Sequence, residues 1–192
     1  MKKRNFIIAI VLALFLLVAL INTNIFWNTL NPVFYNDLLN EYGEIYQIDP
    51  LLVAAIIRVE SKFSPYARSQ VGAIGLMQIM PVTGKEIATK LRIDNFQPRD
   101  LYVPEINIEI GFYYLNELKK EFGDDQVAIL ASYNAGRTNV RYWMGKDTKL
   151  TVAKIPFRET RNFTRSVLST YRHLQYLRQI KNLVTIRRHD LN

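Results

Sequence analysis

The stretch Asp49–Glu60, DPLLVAAIIRVE, is apolar on nearly every side. A helix with one apolar stripe can lie on the surface of a fold, whereas one that is apolar all round has to be enclosed by other elements. Pro50 directly after Asp49 is a helix-start signal, so the segment predicts a buried central helix that begins near Asp49 and ends at Glu60. Its neighbours can be read from the same kind of spacing. Leu38, Leu39, Tyr42, Ile45 and Tyr46 recur at three and four, as do the apolar residues of LMQIMPVTGKEIATKL from Leu76 and the set Ile106, Ile110, Tyr114 and Leu118. A further helix is expected through QVAILASYNAG, capped by Asp124 or Asp125 and ended by Gly136. Val167, Tyr171, Leu174, Leu177 and Ile180 mark a long amphipathic one. SPYARSQVGAIG, between the second and third segments, is too rich in turn formers for regular structure. No segment sustains the period-two alternation of a half-buried strand, so the expected class is all-α.

After the first thirty or so of the 192 residues, roughly 160 remain, the usual size of one domain with a single core. Hydrophobic residues make up 49% and aromatics 12%, enough core material to exclude a disordered chain. Cysteine is absent and His173 and His189 are the only histidines. That composition removes disulfides, thiolate chemistry and a zinc site, and neither a metal nor a cofactor is expected.

Lys2, Lys3 and Arg4 precede an uncharged apolar run from Phe6 to Ile21. Sixteen residues as a helix cover roughly 24 Å at about 1.5 Å each, against a bilayer core of about 30 Å. Asn22 to Trp27 can extend the run to an interfacial tryptophan. A cleaved signal peptide is the rival, but VALINTNIF lacks a clear small-x-small site. The expected layout is a cytoplasmic tip and transmembrane helix over 1–27, a linker over 28–34, the folded domain over 35–185 and a basic tail over 186–192. Cations ahead of the anchor would stay inside, placing the domain outside the cytoplasmic membrane, in the periplasm or on the wall side. A lipid-anchored form is excluded, because no cysteine is present to acylate. The formal charge of +8 is concentrated late in the chain: between Lys154 and Arg188, Glu159 is the only acid among nine Lys and Arg. The basic stretch reads either as a solvated helix face or as a surface for anionic phospholipid or wall polymer. Nucleic acid is not an expected partner outside the membrane.

Glu60 ends the apolar segment that predicts the buried central helix. A carboxylate there faces the negative end of the helix macrodipole and leaves an apolar environment, and both effects raise its pKa. A carboxyl that holds its proton near neutral pH is suited to general acid catalysis.

ESKFSPYARSQVGAIGLMQIMPVTG, SYNAG and IPFRETRNF follow one another in the order and spacing of a known family. From about Tyr35 to Leu183 the chain resembles the lytic transglycosylases whose domain has the goose-type lysozyme fold. The resemblance implies a lysozyme-like helical domain acting on the glycan strands of bacterial peptidoglycan. It further implies that Glu60 is the catalytic acid and base, and that Ser69 lies beside the substrate's acetamido group. Met77 and Gln78 would line the cleft, Tyr133 and Asn134 would belong to it, and Glu159 and Arg161 would support it. Two positions depart from the family pattern, Ser132 where alanine is usual and Phe163 where tyrosine is usual. Bland readings stand beside these: Ser69 as a turn residue, Met77 as core filler, Tyr133 as a packed aromatic, and Glu159 with Arg161 as an ion pair.

Glycoside hydrolases pair the acid with a second carboxylate within about 5 to 10 Å. No acid occurs between Glu60 and Glu86, which favours a substrate-assisted route using one carboxyl twice. The expected product is 1,6-anhydro-MurNAc. The alternatives are a hydrolytic muramidase on the same fold and a wall-binding or assembly scaffold without turnover.

Overall fold

The computed structural model describes residues 34–189, with side chains to 184, together with Phe6, Ile10, Val11, Leu12, Leu14 and Phe15. Apart from those six residues, the expected anchor, together with the linker up to residue 33 and the last three residues of the expected tail, therefore lies outside the described residues. Among those described, no helix is long and apolar enough to cross a membrane.

Residues 35–173 form one compact unit, and the chain from Leu174 onward is assigned with the N-terminal residues to a second. The first unit is built from helices with no named strand among the described residues, and backbone pairing is confined to the isolated bridges Arg68↔Ile74 and Ile74↔Ile79. Helix α1 (Asn36–Tyr46) ends where Gln47 takes a left-handed conformation at φ 56°. Asp49 then caps α2 (Pro50–Glu60) by accepting a 2.9 Å hydrogen bond from the Leu51 N–H. Every residue of α2 from Leu52 to Ile57 is buried, as its all-round apolarity requires. A 2.7 Å bond from the Asn116 amide to the Tyr46 carbonyl fixes the α1–α2 corner against α4 (Pro104–Phe122). The rings of Tyr42 and Tyr46 pack on Phe112 of the same helix.

Helix α3 (Pro81–Leu91) begins later than the spacing from Leu76 suggests. The reason is Pro81: a proline disfavours helical backbone in the residue before it, and Met80 is extended at φ −69°, ψ 137°. Leu76, Met77 and Ile79 are buried by an irregular segment instead. A short 3₁₀ turn over Pro98–Tyr102 precedes α4. Of the two expected caps for α5 (Gln126–Ala135), Asp125 is the one used, accepting from the Ala128 N–H at 3.0 Å and from the Leu150 N–H at 2.6 Å.

Helix α6 (Arg137–Met144) was not legible in the sequence, because Val140 is its one buried residue. It is held by a small core of Val140, Ala128, Ala131, Leu150 and Ile155. The last helix, α7, runs from Arg158 to His189. It starts nine residues before Val167, so Glu159 and Arg161 stand in its first turns.

Candidate active site

Glu60 is the last residue of α2. Beyond it the helix is closed by Ser61, whose N–H and hydroxyl both return to the Ile57 carbonyl, at 3.0 and 3.2 Å. Lys62 and Phe63 follow at φ 53° and 65°, a left-handed pair that turns the chain sharply away and leaves the carboxyl at the helix end. Burial, and after it the negative charge of Glu159, push the Glu60 carboxyl up to about 7. It is thus poised between proton donor and acceptor at neutral pH.

Tyr133, near the end of α5, is raised well above the usual tyrosine range by burial, and next by the charge of Glu60. Its hydroxyl donates a 2.6 Å hydrogen bond to the Met77 carbonyl. The ring stacks on Phe163 of α7 at a centroid distance of 6.3 Å and 10° between planes, and tilts against Tyr114 of α4 at 5.6 Å. Phe163 therefore retains the flat aromatic contact that the position offers, without a hydroxyl. Helices α2, α5 and α7 and the segment 61–80 all meet at Glu60 through these residues.

The segment 61–80 forms a rigid wall despite its lack of regular structure. Ser69 closes a turn: its hydroxyl accepts from the Ala73 N–H at 2.9 Å while its own N–H bonds the Ala73 carbonyl. Gln78, left-handed at φ 49°, donates its amide to the carbonyls of Gly75 (2.9 Å) and Ala67 (3.2 Å). Sequence reasoning missed the organiser, Asn107. Fully buried on α4, it accepts from the Met77 N–H at 2.8 Å and donates to the carbonyls of Leu101 (2.8 Å) and Ile74 (3.0 Å). The signal was present, an amide flanked by Ile106 and Ile108, because a buried amide must find partners.

One expectation and one of the bland alternatives need correction. Met77 does not line a cleft with its side chain, which is 0% exposed. Its sulfur occupies the space over Gly111, where an added Cβ would come within 2.1 Å. The glycine makes a socket that draws Met77 into the core, and the carbonyl of Met77 is what faces the site. Met80, the methionine of the same block that sequence reasoning passed over, is 40% exposed. Nor do Glu159 and Arg161 form an ion pair: Glu159 is exposed, and Arg161 donates at 2.9 Å to the Ile155 carbonyl. Two residues apart, they point to different sides of the helix. The local gap in acids after Glu60 is also partly closed in space, since Glu159 is near enough to act on its charge. Asn134 sits half-buried in the last turn of α5, beside Tyr133. Among the described residues, no three His, Asp or Glu side chains converge as metal ligands would.

A carboxyl of raised pKa, an aromatic wall and a pinned polar loop define a site able to move one proton in each direction. Residues 37–155 match the transglycosylase SLT domain family, and the chain belongs to that family. It is 40% identical over 151 residues to the soluble lytic murein transglycosylase of Salmonella typhimurium, covering 74% of this chain and 23% of the relative. Its fold matches the solved structure of an inactive glutamate-to-glutamine mutant of lytic transglycosylase Slt from Pseudomonas aeruginosa. There the TM-score is 0.67 and the identity 37%, over 73% of this chain and 24% of the other. It is also 39% identical over 90 residues to the membrane-bound lytic murein transglycosylase E of Buchnera aphidicola, covering 46% of this chain and 41% of that one. The family thus includes proteins named as soluble and as membrane-bound. The chain spans about a quarter of the length of the soluble relatives it matches.

Proposed function

We propose that the chain is a peptidoglycan lytic transglycosylase that cleaves the β-1,4 bond between MurNAc and GlcNAc without water. The observation that carries this reading is Glu60, a carboxyl pushed up to about 7 at the end of a buried helix, in a family whose relatives bear this name. In the proposed cycle Glu60 protonates the bridging oxygen, and the bond from that oxygen to C1 breaks as the acetamido oxygen closes onto C1. Glu60, now ionised, takes the proton of the C6 hydroxyl, whose oxygen attacks C1 and displaces the acetamido oxygen. The product is a 1,6-anhydro sugar, and Glu60 ends protonated as it began. C6 is tethered to the reacting ring, an advantage over water of several kcal/mol by proximity. That a glutamate-to-glutamine mutant of the Pseudomonas aeruginosa protein is inactive supports a glutamate in this role.

Ser69, Gln78, Tyr133 and Asn134 are the proposed sugar contacts, with Glu159 and Arg161 in support. Met80 joins them in place of the Met77 side chain, because only Met80 has apolar surface to offer. We assign residues 1–27 as a membrane anchor that holds the domain outside the cytoplasmic membrane. The uncharged run Phe6–Ile21 supports this, as does the membrane-bound relative.

A second reading, hydrolysis by a muramidase mechanism, is favoured by one observation: Glu159 acts on Glu60 through space and could serve as the base for a water. Mass spectrometry of digested glycan strands separates the two. Transglycosylation gives ends one water lighter that resist borohydride, and predominantly reducible ends would overturn it.

A further inference from the structure

Tyr66 and Tyr102 take no part in the chemistry above. Tyr66 is 80% exposed, and its ring lies 6.4 Å from that of half-buried Tyr102 with the planes inclined by 34°. The pair presents a shallow aromatic shelf with one ring open to solvent. The backbone that carries each ring is tied to the wall of the active site. Tyr66 precedes Ala67, whose carbonyl accepts from the Gly75 N–H at 2.9 Å and from Gln78 at 3.2 Å. Tyr102 follows Leu101, whose carbonyl is held at 2.8 Å by Asn107, the same amide that grips Ile74 and Met77. At Gly75 an added Cβ would meet the Leu101 carbonyl at 2.2 Å, so the two segments are in backbone contact.

The shelf also stands at the Glu60 end of the helix stack. Helices α1 and α2 are joined by three residues and pack together, so the start of α1 lies beside the end of α2. There the Tyr35 hydroxyl is raised by burial, then by Glu105 and by Tyr66. Lys62 and Arg68, on either side of Tyr66 in sequence, are exposed.

We propose that Tyr66 and Tyr102 form an outer sugar-stacking subsite for the same glycan strand, beyond the ring that meets Glu60; this rests on the transglycosylase reading. A β-1,4-linked pyranose carries its substituents equatorially, leaving a face of C–H bonds whose positive hydrogens complement the negative face of an aromatic ring. The flanking cations suit the carboxylates that hang from a peptidoglycan strand. Continuity with Ser69 and Gln78 favours the glycan over a lipid surface, which would need no registration with the cleft wall.

The test uses the full chain carrying E60Q, which can bind without turning over, with and without Y66A and Y102A. Sedimentation with long purified glycan strands should show affinity weaker by about five- to tenfold in the triple variant, with a smaller loss on a tetrasaccharide. Tyr66→Phe in the same background should restore most of it. Unchanged long-strand affinity would overturn the subsite. So would a tetrasaccharide affinity that falls as far as the long-strand affinity, which would place the two rings at the reacting sugars rather than beyond them. If E60Q alone binds no glycan, the transglycosylase reading and the subsite fall together. Reducible ends from the unmodified chain would overturn only the reaction, leaving the binding comparison to decide the shelf.

Discussion

Asp49 and Glu60 bracket the same helix, one as its N-cap and the other as its last residue, and they meet opposite conditions. Asp49 lies at the positive end of the helix dipole, accepts the Leu51 N–H at 2.9 Å and receives the Tyr171 hydroxyl at 2.7 Å. Donors gather around its charge. Glu60 lies at the negative end, half-buried, with Glu159 and Tyr133 as its electrostatic neighbours. Its environment resists ionisation. One carboxylate starts the helix, and the other is left uncomfortable at its end, which makes it available for proton transfer.

The largest expected effect follows from removing the uncomfortable charge. Glu60→Gln should fold normally and lose at least about a hundredfold in cleavage rate, the usual range for a general acid. Near-unmodified rates of release from purified glycan would break the comparison at its catalytic end.

The same substitution should also change stability in a pH-dependent way. The pKa of Glu60 rises on folding from 4.5 to about 7. Its contribution to stability is therefore fully present below about 4.5 and is lost as pH rises through about 7, a swing of about 3 kcal/mol. Glutamine never ionises, so the glutamine variant should melt close to the unmodified chain at pH 4 and clearly above it at pH 8. Parallel melting curves across that range would show that Glu60 is not strained in the folded state.

At the opposite end, Asp49→Ala removes a cap and the hydrogen bond that Asp49 accepts from the Tyr171 hydroxyl. A loss of about 1–2 kcal/mol is expected in urea unfolding near neutral pH. The rate per folded molecule should be retained, since this end of α2 carries no proposed chemistry. A drop in turnover without a drop in stability would contradict the division of labour along the helix.

Glu159→Gln should have the smallest effect. With no ion pair to Arg161 to break, melting should barely change, whereas removing a negative neighbour lowers the pKa of Glu60. Catalysis starts from protonated Glu60, so the alkaline limb of the pH–rate profile should move to lower pH. An unmoved limb would separate Glu159 from Glu60, and a collapse in rate at every pH would favour Glu159 as the base of a hydrolase.

Much of this molecule was legible in local pattern. The buried α2, its cap and its final glutamate follow from an apolar run behind an Asp-Pro pair, because helical periodicity and capping act over a few residues. Asp125 and Gly136 at the ends of α5 were readable for the same reason. The family blocks pointed to Ser69, Gln78, Tyr133 and Glu159 together. What required the tertiary structure was everything set by contacts distant in sequence. Met77 and Met80 are three residues apart in one motif, but Gly111, far along the chain, draws the first into the core, and Pro81 keeps the second extended at the surface. Glu159 reaches Glu60 only because α7 begins beside the end of α2, and Asn107 organises a wall some thirty residues before it in sequence. A sequence displays periodicity, caps and breakers because they are properties of neighbouring residues. The side chain that fills a socket and the charge that faces another depend on how helices pack, and burial then decides which carboxyl keeps its proton.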